Sequence, residues 1–286
     1  MPQNPCVIAT KTIGGEVHIF DYTKHPSFPG SDPTVNPDLR LTGQTREGYG
    51  LAWNPLDQGI LLSASLDCSI AVWDVNAGGA THRVLEPISL YSDRHAPGVE
   101  DVAWSPAESS IFASVGDDCA LVFWDRRAQD PVLAVVPQAH SSDINCVVFN
   151  PHDASQVATA GADGRVHIWD RRNLSSGPLH SLLHHQTDVI QLAWSPHYPK
   201  ILSSASADRR VAVWDLERVE MEQSAEDAED GPPELLFVHG GHCNRVPDLG
   251  WNPHRPWMMA SVAEDNVLQI WQMASEILDD DNNEDQ

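Results

Sequence analysis

Histidine and aspartate recur in this sequence at one spacing. His95 stands 23 residues before Asp118, His140 before Asp163, His185 before Asp208 and His242 before Asp265, while Gln44 holds the same place before Asp67. An imidazole beside a carboxylate is a familiar device for general acid–base chemistry. Repetition argues against that use here. A catalytic dyad needs to exist once, so a pair repeated at fixed spacing reads as a structural tie. The sequence has no Gly-rich phosphate loop and no Gly-x-Ser-x-Gly elbow. Cys6, Cys68, Cys119, Cys146 and Cys243 are scattered without a Cys-x-x-Cys pair, which fits neither a disulfide framework nor a zinc site. They read as reduced, small packing residues. The expectation is a protein with no catalytic residue, no metal and no cofactor.

The elements that carry these pairs follow from a longer repeat. Trp53, Trp104, Phe149, Trp194 and Trp251 serve as anchors. Two residues after each comes proline (Pro55, Pro106, Pro151, Pro196, Pro253), and 20 after each comes Trp73, Trp124, Trp169, Trp214 or Trp271. Asp74, Asp125, Asp170 and Asp215 follow the first four of these tryptophans, and Gln272 follows the fifth. Successive anchors lie 51, 45, 45 and 57 residues apart, so insertions are confined to connections between rigid units. Within a unit, runs such as Ser69-Ile70-Ala71-Val72-Trp73 alternate with the period of a β-strand, and the Asp just before them marks a tight turn. Proline after the anchor ends a strand because it cannot donate to a ladder. Each unit is predicted to be a small antiparallel sheet that must pack on copies of itself, an all-β propeller.

Charge narrows the partners. The chain has 17 basic and 41 acidic residues, a net charge of −24, which opposes direct binding to nucleic acid and suits a basic protein. No stretch approaches the apolar length of a membrane span. The segment 217–234 holds eight acids against Arg218 alone, and the tail 276–286 holds six acids and no base. The tail reads as disordered and solvated, and the internal run as a loop inserted in the propeller of residues 1–275.

The His…Asp…Trp-Asp spacing resembles that of WD repeats, in which the histidine, bonded to the turn aspartate, links the inner and outer parts of a blade. Segments between the repeats are more specific. Met1-Pro2-Gln3-Asn4-Pro5, Phe20-Asp21-Tyr22-Thr23-Lys24-His25-Pro26, Glu47-Gly48-Tyr49-Gly50-Leu51, Ala228-Glu229-Asp230-Gly231-Pro232-Pro233-Glu234-Leu235-Leu236-Phe237 and His239-Gly240-Gly241-His242 are similar to the retinoblastoma-binding, chromatin-assembly-factor small-subunit family of histone-binding proteins. That resemblance covers essentially the whole chain. It implies a seven-bladed propeller, of which this chain supplies five complete repeats and part of a sixth. Phe20-Asp21 fills the Trp-Asp place of that partial copy, so the sequence is expected to begin inside a repeat and to be truncated at its N-terminus.

The resemblance also implies two binding places. One is a groove that grips a histone helix, with Asp227, Glu229, Asp230, Pro232, Pro233, Leu235 and Leu236 as its positions in this chain. The alternative for that loop is a solvated insertion with Leu235–Phe237 as an outer strand. The other is a top rim that takes a basic histone tail, with Glu47, Tyr49, Glu100, Asp143, Asn145, Asp188, Arg245 and Glu264. Ile190 departs from the aromatic residue the family suggests there. The function so implied is a nuclear, histone-binding subunit of chromatin assembly and chromatin-modifying complexes of deacetylase, Polycomb-type and remodelling kinds. It would present core histones to partner enzymes, without chemistry of its own. A second reading is a substrate receptor of a cullin-type ubiquitin ligase, since Trp124-Asp125-Arg126-Arg127 and Trp169-Asp170-Arg171-Arg172 fit a Trp-Asp-x-Arg pattern with Arg127 and Arg172 as the adaptor contacts.

Overall fold

The alternating segments form strands in the computed structural model, which describes residues 1–26, 28, 34–79, 83–92, 94–224, 226–274 and 277. The chain divides into two compact units, Met1–Val147 and Val148–Gln286.

In the first unit, Val7–Lys11, Val17–Asp21 and Leu39–Leu41 run antiparallel, and Val84–Leu85 adds to the last of them in parallel. Leu51–Trp53, Ile60–Ala64, Ile70–Asp74 and Ser89–Tyr91 form an antiparallel sheet of four. Val99–Trp104, Ile111–Gly116, Leu121–Asp125 and Val132–Val136 repeat it. The division between the units falls within the strand Ile144–Phe149, which begins the sheet containing Gln156–Gly161, Arg165–Asp170 and His180–Leu183. The second unit continues with Val189–Trp194, Ile201–Ser206, Val211–Asp215 and Leu235–His239. Its last sheet, among the described residues, has three strands, Asp248–Trp251, Met258–Val262 and Leu268–Gln272.

The inner three strands of a sheet are joined by two short turns built by side chains. After the anchor, Asn54 Oδ1 accepts the amides of Leu56 and Asp57 at 2.9 and 2.8 Å, and Asn252 Oδ1 does the same for His254 and Arg255. At the second turn each aspartate accepts the amide two residues on: Asp67 from Ser69, Asp118 from Ala120, Asp163 from Arg165, Asp208 from Arg210 and Asp265 from Val267. The intervening residue is left-handed in every copy, with φ between 60° and 74° at Cys68, Cys119, Gly164, Arg209 and Asn266. Two of the cysteines therefore stand in hairpin turns, and none of the five is in a disulfide.

Sheet packing buries the tryptophans. Trp73, Trp124, Trp169 and Trp214 are fully enclosed, and each removes a large apolar surface from water. In the first unit Phe112 stacks on Trp124 at 5.6 Å between two sheets whose facing residues include Ile60, Leu62, Val72, Val102 and Val122. In the second, Val211, Val213, Val246, Leu249 and Met259 form the corresponding layer. The tryptophan outside the repeat, Trp257, stacks on Tyr198 at 4.4 Å. No helix among the described residues is long and apolar enough to cross a membrane.

Candidate functional site

The repeated histidines sit behind the surface, not on it. His95 Nδ1 lies 3.0 Å from Asp118, and its Nε2 lies 2.7 Å from Ser114 Oγ, which in turn accepts the Trp124 indole N–H at 2.8 Å. His185, Asp208, Ser204 and Trp214 repeat the chain at 2.9, 2.7 and 2.8 Å. Both rings are buried, so the chain ties the turn to the middle of the sheet and leaves no room for a substrate. A hydroxyl stands ten residues after each anchor, at Ser63, Ser114, Thr159, Ser204 and Ser261; four of them accept the indole N–H of their own repeat, whereas Trp73 donates to the Thr42 carbonyl at 3.1 Å. His140 is buried in the first unit, and Asp163 caps its own turn in the second.

The expected pair of His242 with Asp265 does not form. His242 Nε2 is 2.7 Å from Ser261 Oγ, but its buried Nδ1 has no hydrogen-bond partner. Asp265 is exposed and spends its Oδ1 on the Val267 amide. Burial and the neighbouring His239 then hold the His242 pKa below its ordinary value, so this ring is neutral.

In front of the ties, the first unit gathers carboxylates. Leu66 N–H donates to the Glu47 carbonyl at 2.9 Å and Gly50 N–H to that of Glu100 at 2.9 Å, which aligns the segment 47–50 beside Gly98–Glu100. Gly98 and Gly116 permit the next contact: a β-carbon on Gly116 would lie 2.1 Å from the Gly98 carbonyl oxygen, and one on Gly98 would lie 3.1 Å from Asp117 Oδ2. The Glu100 carboxyl thus comes to hydrogen-bond Asp117, with Asp143 near enough to repel both. Burial, then the charges of Asp117, Asp143 and Asp101, push Glu100 up to about 7, into the neutral range. Tyr49 stands beside them with 77% of its surface exposed, and Glu47 is exposed as well. The arrangement is a cluster of carboxylates with an exposed tyrosine on the adjoining segment, groups of the kind that suit a guanidinium or ammonium.

Asp101, next in the chain, is a different kind of residue. Its Oδ1 and Oδ2 accept the amides of Val102 and Val147 at 2.8 and 2.9 Å, and the Cys146 thiol also donates to it. Burial pushes it up to about 6 against those bonds. It fastens two strands of the first unit together and is not available to a ligand.

Comparison with protein-family models matches the WD domain, G-beta repeat, at residues 41–74, 87–125, 132–170, 176–215 and 233–272. These five matches cover well over half of the chain. The chain belongs to the WD-repeat family. Its fold is a WD-repeat β-propeller, and its general role is that of a scaffold for protein interactions.

Within this WD-repeat protein the predicted rim residues are not all equivalent. Glu47, Tyr49, Glu100 and Asp143 lie in the first unit with Asn145, which is half-buried on the strand Ile144–Phe149. Asp117 joins them and had not been singled out, although it occupies the place beside the turn aspartate that Glu264 holds in the last repeat. In the second unit the Arg245 and Glu264 side chains pair with each other, Nε to Oε1, at 3.5 Å, and the Glu264 amide donates to the Arg245 carbonyl at 3.0 Å. Asp188 is half-buried, its carbonyl taken by the Ala207 amide.

The acidic insertion has a small structure of its own. Asp227–Asp230 makes one helical turn with every acid exposed, opened by Ser224 Oγ, which accepts the Asp227 amide at 3.1 Å. Pro232 and Pro233 are half-buried, and the Pro232 carbonyl accepts the Leu235 amide. Leu235–His239 then pairs with Val211–Asp215 as an outer strand, with Val213 opposite Phe237. Leu236 faces a cavity of about 180 Å³ shared with Tyr198, Trp257, Arg218 and Ile277. The expected acidic tail lies outside the described residues except for Ile277, which is helical and forms one wall of that cavity.

Arg127 and Arg172 take one pose in two repeats. Each guanidinium forks onto the aspartate of its own Trp-Asp, Arg172 Nε and Nη2 reaching Asp170 at 2.9 and 2.8 Å and Arg127 reaching Asp125 at 3.2 and 3.1 Å. Both side chains remain 70% exposed.

Proposed function

We infer that this propeller binds basic segments of partner proteins, with the Glu100–Asp117–Asp143 carboxylates and Tyr49 as its cation site and the Asp227–Asp230 turn above Leu236 as a second contact. The observation that carries the reading is the convergence on Glu100. Backbone bonds between Gly50 and Glu100 and between Asp117 and Gly98 bring these carboxyls onto neighbouring segments, burial and then their charges push Glu100 up to about 7, and an arriving guanidinium would favour the charged form of each. The chain's net charge of −24 adds long-range attraction for basic partners.

The finer reading rests on the family resemblance of the segments between the repeats. It makes the partners core histones, through a helix and a basic N-terminal tail, and makes the protein a nuclear subunit of chromatin assembly and chromatin-modifying complexes that performs no catalysis itself. The test is a salt-titrated binding measurement with histone-tail and Arg-rich peptides. The triple variant E100Q/D117N/D143N should weaken tail binding by about tenfold or more, the loss of one or two charge-assisted hydrogen bonds. D227N/E229Q/D230N should weaken a basic helix selectively. Binding unchanged in both variants would end the reading.

A second reading, a substrate receptor of a cullin-type ligase, is favoured by the shared pose of Arg127 and Arg172. Arg127→Ala and Arg172→Ala should then abolish capture of the ligase adaptor while sparing basic peptides.

A further inference from the structure

The repeat that begins at Gln44 departs from the tie in a way of its own, and at two places at once. Where four repeats carry histidine, this one carries Gln44. In the preceding sheet, Lys11 stands ten residues before Asp21, a place held by Ala64, Val115, Ala160, Ala205 and Val262 in the other copies. The structure brings the two exceptions together. Lys11 Nζ donates to Gln44 Oε1 at 2.8 Å, to Ser63 Oγ at 2.8 Å and to the Ala64 carbonyl. Gln44 Nε2 donates to the carbonyls of Ser63 and Ser69, both at 3.1 Å. An imidazole whose ring nitrogens served Ser63 and Asp67, as in the intact copies, would leave the ammonium without the acceptor that the Gln44 amide oxygen supplies.

Gln44 opens the segment that carries Glu47 and Tyr49. The turn after Lys11 presses on the same segment: a β-carbon on Gly15, whose φ is +89°, would lie 2.7 Å from the Gln44 carbonyl oxygen and 2.9 Å from the Arg46 nitrogen. Further bonds hold it from the other side, Thr45 N–H to Asp67 at 2.6 Å and Ser65 Oγ to the Arg46 carbonyl at 2.9 Å. Ile13, in that same turn, is 86% exposed.

We propose that Lys11 and Gln44 form a matched latch between the first two sheets that positions the segment 44–50, and with it Glu47 and Tyr49, for a basic partner. Lys11 is thus a positioning residue that touches no ligand. The role rests on the basic-peptide reading of the Tyr49–Glu100 surface. Burial lowers the Lys11 amine to about 8, with the Asp67 charge opposing, so its charged form depends on the oxygens of Gln44, Ser63 and Ala64 to which it donates.

Because that burial disfavours the charge, global stability is the wrong measurement for the latch. Amide exchange of residues 44–50 and peptide affinity should be read together in the full chain. K11M should speed exchange of that segment by tenfold or more and weaken an Arg-rich peptide by about threefold or more. K11M/Q44H, which restores the arrangement of the intact repeats, should return both toward the parent values. Q44H with Lys11 retained should loosen the segment. Unchanged exchange in K11M, or no rescue by K11M/Q44H, would overturn the latch. Faster exchange with undiminished affinity in K11M would overturn its positioning role while leaving the basic-peptide reading intact. A parent chain that binds no basic peptide would sink that reading and with it the role in binding, and exchange alone would then decide whether the latch exists.

Discussion

His185 Nδ1 lies 2.9 Å from the Asp208 carboxylate, whereas the equivalent Nδ1 of His242 is buried without a partner. The same two residue types at the same spacing therefore carry different energies. Removing a carboxylate from a buried pair strands the imidazole, so Asp208→Ala should cost about 3 kcal/mol. Asp265→Ala removes only a turn bond to Val267 and should cost less than about 1 kcal/mol. Urea unfolding of the two variants checks the contrast.

Acid should unfold the propeller through its turns. Hydrogen bonds from Ser69, Thr45 and Ser65 outweigh burial and hold Asp67 down at about 2, and the partners of Asp118 and Asp208 likewise hold those carboxylates below their ordinary range. A carboxylate whose folded pKa is depressed stabilises the fold above its unfolded value near 4 and loses that contribution as pH falls toward the folded value. Stability should decline between about pH 4 and pH 2, and D67N should remove part of that slope.

Glu100 carries the opposite sign. Its folded value near 7 lies above the unfolded one near 4.5, so the folded chain binds more protons in that window and this group lowers stability as pH rises through it. Glu100→Gln should flatten the slope between about pH 4.5 and 7 and raise the midpoint of thermal unfolding at pH 8. Carboxyl NMR titration of Glu100 measures the value directly. Arg-peptide binding near pH 7 should release a proton, which calorimetry in buffers of different ionisation enthalpy detects.

Among the residues that follow Asp67, Asp118, Asp163, Asp208 and Asp265, Gly164 alone is a glycine and bears no steric cost for a left-handed backbone. Its φ is +74°, and a β-carbon there would meet the carbonyl oxygens of His185 and Thr187 at 3.1 and 3.2 Å. Gly164→Ala should destabilise by about 1 kcal/mol or more. Arg209, at φ 71° in the next repeat, shows that a side chain can be carried in this turn, so the variant should fold and the loss should be measurable by denaturant titration.

Much of the architecture was legible because repetition multiplies weak signals. A single tryptophan after alternating apolar residues says little, but Trp73, Trp124, Trp169, Trp214 and Trp271 at one spacing specify strands, turns and the buried face together. The candidate site was only partly legible. Glu100 and Asp143 were visible as acids in strand-entering loops, while Asp117 and the protective role of Gly98 and Gly116 emerge only when the two loops touch. Leu235 to Phe237 could be read as a groove floor or as an outer strand. The ladder to Val211–Asp215 shows the strand, and it leaves Leu236 on the cavity.

By itself the sequence determined the repeat, the placement of strands and turns within it, and an acidic surface chemistry, since these depend on residue type and spacing along the chain. Tertiary structure alone decided which histidines find their aspartates, which acid is pushed toward the neutral range, and that Lys11 meets the amide of Gln44 where other repeats carry histidine. Those outcomes depend on hydrogen-bond geometry and on burial among residues distant in sequence, and a linear spacing contains neither.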